Sequence, residues 1–371
     1  MQKKHFVPCL FFFLLFCITM KASAFTVNPY SDFGYQSLNS SEKQCYIELA
    51  EILTNHETEQ QVSTLESNVV QRAYDALMAD EPRFFYVDHY VLTTHTRNDI
   101  IVKLVFKPFY TMDWKTANDT LSQIDYTISQ LVEACNQYQN DYDKAKLVFS
   151  SLVPYITYDQ AMTLDQTMVG ALLQQKAVCA GYASATQYIL HCVGIKAGKI
   201  SGNMWEGGSH AWNIVQLDGK YYHMDTTHGD ATSTTMAEHE KIPPVHYEYF
   251  AMTQGEVLRT RNIDNTFALP LANTMNCNYF VREGLYFTDY SVDLLKPLFI
   301  QAYHNGQNYV SFQFSDKGTY DRAISSLFGQ NGEIWEVMEA LYAVGKPKAK
   351  ETSIYHTDSE EFYTVTVYPL L

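Results

Sequence analysis

The sequence predicts an α+β protein in which a cysteine-bearing helix packs on an antiparallel hairpin carrying histidine and aspartate, and three observations predict it. In KAVCAGYASATQYILHCVGI, residues 176 to 195, Val178, Tyr182, Ala185 and Ile189 recur at helical spacing. The strand-like runs HAWNIVQL and KYYHMDTT flank Asp218-Gly219, a strong two-residue hairpin signal. Around this middle region, 140–260, lie a mainly helical α/β region at 25–139 and a small α/β module at 276–371.

The chain opens MQKKHFVPCLFFFLLFCITMKASAF. Lysines, an apolar run from Phe11 to Ile18 and the small-x-small Ala22-Ser23-Ala24 predict a cleaved signal peptide over 1–24. The apolar run is short for a bilayer span, so the mature protein is expected to be secreted, extracellular or associated with the cell envelope, without a membrane partner. The formal net charge is −15, and the leader's Lys3, Lys4 and Lys21 are balanced by no acid, so cleavage leaves −18. That charge makes nucleic acid a poor partner. The mature cysteines are Cys45, Cys135, Cys179, Cys192 and Cys277. Five is odd, so at least one stays unpaired in an oxidising compartment.

In the first region, Ser41 and Gln44 read as a capping box opening a helix with Cys45, Leu49, Ile52 and Leu53 on one stripe. A second helix carries Val70, Ala73, Tyr74 and Leu77. FFYVDHYVL and IIVKLVFKPFY read as strands joined by a THTRND turn, and a helix starting near Asn118 or Thr120 follows. That helix turns Leu121, Ile124, Ile128, Leu131 and Cys135 to one side, which places Cys135, like Cys45, on an inward face where the two could pair. The last region reads strand, helix, strand, helix, helix, strand, from NYFVREGLYF to EFYTVTVY.

In the middle region, DYDKAKLVFSSLVPYITYD is an amphipathic helix stopped by Pro154. Cys179 then falls in the first turn of a small-residue helix, with Gly194 as its C′ residue. Unsatisfied N–H groups and the positive dipole end favour thiolate there. In the hairpin, Leu217 facing Lys220 sets Trp212 opposite Asp225 and His210 opposite Thr227. His210 and Asp225 become diagonal neighbours on one face, while Asn213 falls on the other. Cysteine, histidine and aspartate then fill the three roles of a thiol triad.

The runs A-V-C-A-G-Y-A, H-A-W-N-I-V and D-G-K-Y-Y-H-M-D-T-T resemble the transglutaminase-like superfamily of papain-type Cys-His-Asp enzymes, closest to its exported bacterial members. The resemblance covers Asp141 to Asp230 most strongly and implies a papain-like/transglutaminase-like core. It implies Cys179 as nucleophile, His210 as general base and acid, and Asp225 as the residue orienting His210. It further implies an acyl-thioester on a protein or peptide substrate, released by water or by an amine. In this chain His228 stands where family members often carry tryptophan, a departure at the cleft wall. The Cys179 backbone N–H is one expected oxyanion donor, with Gln174 and Gln175 as candidates for the other.

Trp205, in the glycine-rich SGNMWEGGS, together with Trp212 and His228, are the candidate cleft residues. Cys192 reads as a core thiol or a partner of Cys277. His223, Asp225 and His228 invite a metal reading, with His239 and His246 near in sequence, but no second cluster completes a recognised spacing, and no metal is expected. No cofactor is required by these residues, and no calcium loop is readable. A catalytically silent binding or scaffold protein of the cell envelope is the rival expectation.

Overall fold

The computed structural model describes residues 25–160, 163–230, 245–348 and 354–368. The expected signal peptide and His239 lie outside them.

The first region comprises α1 (Phe33–Gln36), α2 (Ser40–Thr54), β1 (Gln60–Val62), α3 (Ser67–Asp80), β2 (Val87–Arg97) and β3 (Ile100–Tyr110). The predicted stripe of α2 is buried and packs with Val70, Ala73 and Leu77 of α3 against Phe106. The capping box lies two residues earlier than expected. Asn39 accepts from the Glu42 N–H and Glu42 answers to the Asn39 N–H, because Asn39 already has the extended backbone a cap needs. The strands also run closer to their turn than THTRND implied. Only Asn98 and Asn98's neighbour Asp99 form it, both at positive φ, 50° and 61°, which is the two-residue hairpin geometry. Phe84 lies in a single 3₁₀ turn at Pro82–Phe84, so β2 begins at Val87, later than the apolar run suggested.

The first region ends in α4 (Trp114–Cys135), and the middle region follows as α5 (Asp141–Leu152), β4 (Thr157–Tyr158), a π turn at Gly170–Gln174, β5 (Lys176–Ala177), α6 (Cys179–Cys192), β6 (Ala197–Asn203), β7 (Ser209–Leu217), β8 (Lys220–Met224) and α7 (Gln254–Thr260). Helix α4 starts at Trp114 rather than near Asn118, capped by the Asp113 carboxylate. Ile124, Ile128 and Cys135 of α4 join the core formed by α5, α6 and the sheet β6-β7-β8. Hence Cys45 and Cys135 sit in different cores, and all five described cysteines are free thiols. The pairing of Cys192 with Cys277 is not formed either: Cys192 is exposed at the end of α6 while Cys277 is buried.

The hairpin register agrees with the sum fixed by its turn. Leu217 faces Lys220 and Asn213 faces Met224, around Asp218 and Gly219 at φ 48° and 76°. Helix α6 begins at Cys179 and ends at the left-handed Gly194. Its residues from Gly181 to Leu190 are all buried. Gly181 is required by a close approach: a Cβ there would lie 2.3 Å from the Asp165 carbonyl oxygen and 2.7 Å from the Ala177 Cβ. Gly181→Ala is expected to destabilise the fold by about 1–3 kcal/mol through overpacking. The denaturation midpoint and Cys179 alkylation should fall together, since the displaced turn carries the thiol.

The last region contains α8 (Tyr279–Arg282), β9 (Tyr286–Phe287), α9 (Val292–His304), β10 (Val310–Phe314), α10 (Lys317–Phe328), α11 (Ile334–Ala343), β11 (Tyr355–Ser359) and β12 (Thr364–Tyr368). NYFVREGLYF, read as one strand, is a helical turn capped by Asn278 followed by a two-residue strand. Strand β11 was not foreseen; it pairs with β12 in a sheet ordered β11-β12-β10-β9. Phe33 of α1, Trp212 of β7, Val257 of α7 and Phe362 of the loop before β12 share one small core, which ties the three regions together behind the hairpin.

Candidate active site

Cys179 is the first residue of α6, and the preceding Val178 supplies no capping side chain. The first-turn N–H groups are therefore not capped by the residue before the helix. The Ala180 N–H and the Ala211 N–H from β7 hydrogen-bond the sulfur, as does His210. Burial pushes the thiol pKa up, but these bonds and the His210 charge outweigh it, and the net shift is downward.

His210 is buried on β7, opposite Gly202 of β6. Its Nε2 lies 2.8 Å from Asp225 Oδ2, which leaves Nδ1 for the thiol. Burial pushes the His210 pKa down, yet the Asp225 carboxylate and the bond to Cys179 overcome it and raise it to about 9. Asp225, just beyond β8, is fully buried. Its Oδ1 accepts the N–H groups of Thr227 and His228, each at 3.1 Å, which fixes the carboxylate plane. Burial works against the charged form, but His210, His228 and Arg261 hold the Asp225 carboxyl well below the ordinary carboxylate range. The arrangement favours a thiolate–imidazolium pair anchored on a buried carboxylate.

Arg261 is the residue that sequence reasoning missed. It follows α7 directly, is fully buried, and donates Nη1 to Asp225 Oδ2. Its guanidinium carbon lies 5.2 Å from the Trp212 ring and 5.9 Å from the Tyr249 ring, a cation–π sandwich. No local pattern marks it, because the contact to Asp225 spans a long stretch of chain.

The candidate cleft residues separate. Trp212 is almost fully buried, donates Nε1 to His223 Nδ1 at 3.1 Å, and stacks beneath His210 at 5.8 Å between ring centres. It supports the histidine and does not line a cleft. Trp205 is 59% exposed, with Nε1 donating to the Leu258 carbonyl of α7. His228 is in the site itself: its Nδ1 is 2.8 Å from Asp225 Oδ2 and 3.0 Å from His210 Nε2, and its ring stacks on Tyr249. Gln174 and Gln175 are both exposed around the end of the π turn, with Gln175 in the left-handed region. The N–H groups that reach the sulfur come instead from Ala180 and Ala211. Asn213 faces α6, bonding the Ala183 carbonyl, as the alternation of the strand required.

His210, Asp225 and His228 place ligand atoms within 4.8 Å of one another, so a metal could be drawn there. Arg261 already sets its charge on the same Asp225 oxygen, and the donor set fits a buried ion network better than a cation site. His223, which the sequence also offered to a metal reading, turns to Trp212, and burial together with the Arg261 charge lowers its pKa to about 3.

No curated protein sequence matches this chain. Residues 129–226 match the family model of the transglutaminase-like superfamily. Among solved structures, the chain is similar to a protein described as a TGase, at 19% identity over 50% of this chain and 53% of that one, with a TM-score of 0.28. It is also similar to the periplasmic domain of TgpA from Pseudomonas aeruginosa, at 16% identity over 34% of this chain and 53% of that one, with a TM-score of 0.24. The chain thus spans about half the length of each. Residues 129–226, which match the transglutaminase-like superfamily model, carry Cys179, His210 and Asp225.

Proposed function

We propose that this chain is an exported thiol acyl-transfer enzyme acting on peptide or glutamine carbonyls, with Cys179 as nucleophile, His210 as general base and acid, and Asp225 orienting His210. The single observation that carries the reading is the hydrogen-bonded series from the Cys179 sulfur through His210 to the buried Asp225 carboxylate. The thiolate adds to the carbonyl carbon, and the first-turn N–H groups of α6 face the developing oxyanion. The C–N bond breaks as the leaving nitrogen takes the His210 proton, which leaves a thioester. Neutral His210 then removes a proton from water, whose oxygen displaces the sulfur and restores the ion pair. Hydrolysis is favoured over amine cross-linking, since water needs no dedicated acceptor channel. The leader features support export, and among the described residues no helix is long and apolar enough to cross a membrane.

The test incubates the mature protein, and a Cys179→Ala control, with a mixed protein substrate and a small primary amine, read by mass spectrometry. New termini or deamidated glutamines that require Cys179 are expected. Amine adducts that require Cys179 would keep the acyl enzyme and reverse the preference for water. No Cys179-dependent product would favour the silent binding protein.

A further inference from the structure

Beside the thiol lies a cavity of about 280 Å³. Ala180 and Ala211, whose N–H groups hold the sulfur, both line it, so an acyl group on Cys179 has this space next to it. One wall is Met78 and Ala79 of α3, another is Ile200 of β6, and a third is Phe267 and Leu269 beyond α7. Three charged residues also line the space: Asp75, Lys199 and Asp264.

The two acids already have donors. Gln71 gives Nε2 to Asp75 Oδ1 at 2.8 Å, and the Ser201 hydroxyl donates to Asp264 Oδ2 at 2.6 Å. Lys199 is served differently. Its ammonium donates one long bond, 3.3 Å, to the Ser184 hydroxyl of α6, and among the described residues no carboxylate lies within ion-pair distance of it. An ammonium has three donors to place, and among the described residues only the Ser184 bond occupies one of them. Burial pushes the Lys199 pKa down, while the negative charge of Cys179 pulls it back up, so the ammonium lies within electrostatic reach of the reacting sulfur. A residue needed only for packing at this place would be cheaper as methionine.

We propose that this cavity is the specificity pocket for a carboxylate-bearing side chain next to the reacting carbonyl, with Lys199 as its counter-ion and α3 as one wall. The proposal rests on the thiol acyl-transfer reading and names the substrate class of that site. The methylene stem of such a side chain packs on Met78, Ile200 and Phe267, and its carboxylate completes the ammonium's bonds. An amide in the same place offers the half-buried ammonium no opposite charge, which is how an ion lining a pocket discriminates between isosteres. The pocket also gives the first region a role, since α3 closes a cavity that the middle region alone would leave open.

The test measures inactivation of the mature protein by two peptidyl chloromethyl ketones that differ only in glutamate or glutamine beside the warhead. In the wild type the glutamate reagent is expected to react at least tenfold faster with Cys179. The ratio should fall to near one in Lys199→Met and in Lys199→Gln, and persist in Lys199→Arg, with circular dichroism confirming that each variant is folded. Equal rates in the wild type, or a glutamate preference that survives both neutral substitutions, overturns the pocket assignment. Failure of both reagents and of iodoacetamide to label Cys179 overturns the thiol-enzyme reading, and this inference with it.

Discussion

Alkylation of Cys179 by iodoacetamide should set in at lower pH than that of an ordinary thiol, and His210→Ala should abolish that advantage. The Cys179 pKa is shifted downward and that of His210 upward to about 9. Between the two values the ground state is thiolate beside imidazolium. Below the Cys179 pKa the sulfur is protonated and the rate falls; near 9 the imidazolium loses its proton and a second step appears. An ordinary thiol of pKa about 8.5 is only about 0.3% ionised at pH 6. In His210→Ala the bond and the charge disappear while burial, which pushes the thiol up, remains. The alkylation rate below the ordinary thiol pKa should therefore drop in His210→Ala, even after allowing for the greater intrinsic reactivity of a more basic thiolate. Turnover should fall above about pH 9, because the leaving nitrogen then finds no proton on His210. A wild-type rate that climbs tenfold per pH unit up to pH 8, unchanged by His210→Ala, would remove the ion pair and with it the catalytic assignment.

The parts of this site that could be read from the sequence are those fixed by short-range geometry. A two-residue turn at Asp218-Gly219 leaves the strands no freedom of register, so the pairing out to Asn213 and Met224 follows from the turn alone. Cys179 at the helix start follows from the small-residue periodicity behind it and Gly194 at its end. Trp212 was misjudged for a definable reason. Strand alternation puts it on the His210 face, and that face was equated with an open cleft. In the fold, Met252 and Val257 pack with Trp212 in one small core. The capping box failed because Asn39, Ser40 and Ser41 all have capping side chains, and composition does not choose among them. The cysteine pairings failed because inward-facing positions on two helices say nothing about whether the helices share a core. Lys199 and Arg261 gave no signal, since each matters only through what the fold places against it.

Arg261→Met should be among the most damaging single substitutions in the chain, and its effect on the pH profile should separate stability from chemistry. Asp225 is fully buried and its Oδ2 takes three partners: His210, His228 and Arg261. Arg261 is the only one of the three whose charge is permanent. Methionine retains much of the packing between Trp212 and Tyr249 but leaves the carboxylate short of a cation. Removing one member of a buried ion pair typically costs about 3–5 kcal/mol. The denaturant midpoint should fall accordingly, and Arg261→Lys should recover part of it, because lysine keeps the charge without the planar fork that stacks on both rings. Chemistry should respond in the opposite sense. The Arg261 charge depresses the His210 pKa, so its loss should move the alkaline limb of turnover upward from about 9. A residue serving only as packing would lower stability and leave that limb in place. An Arg261→Met protein with an unshifted alkaline limb would therefore show that the guanidinium holds Asp225 in position without tuning the histidine that Asp225 orients.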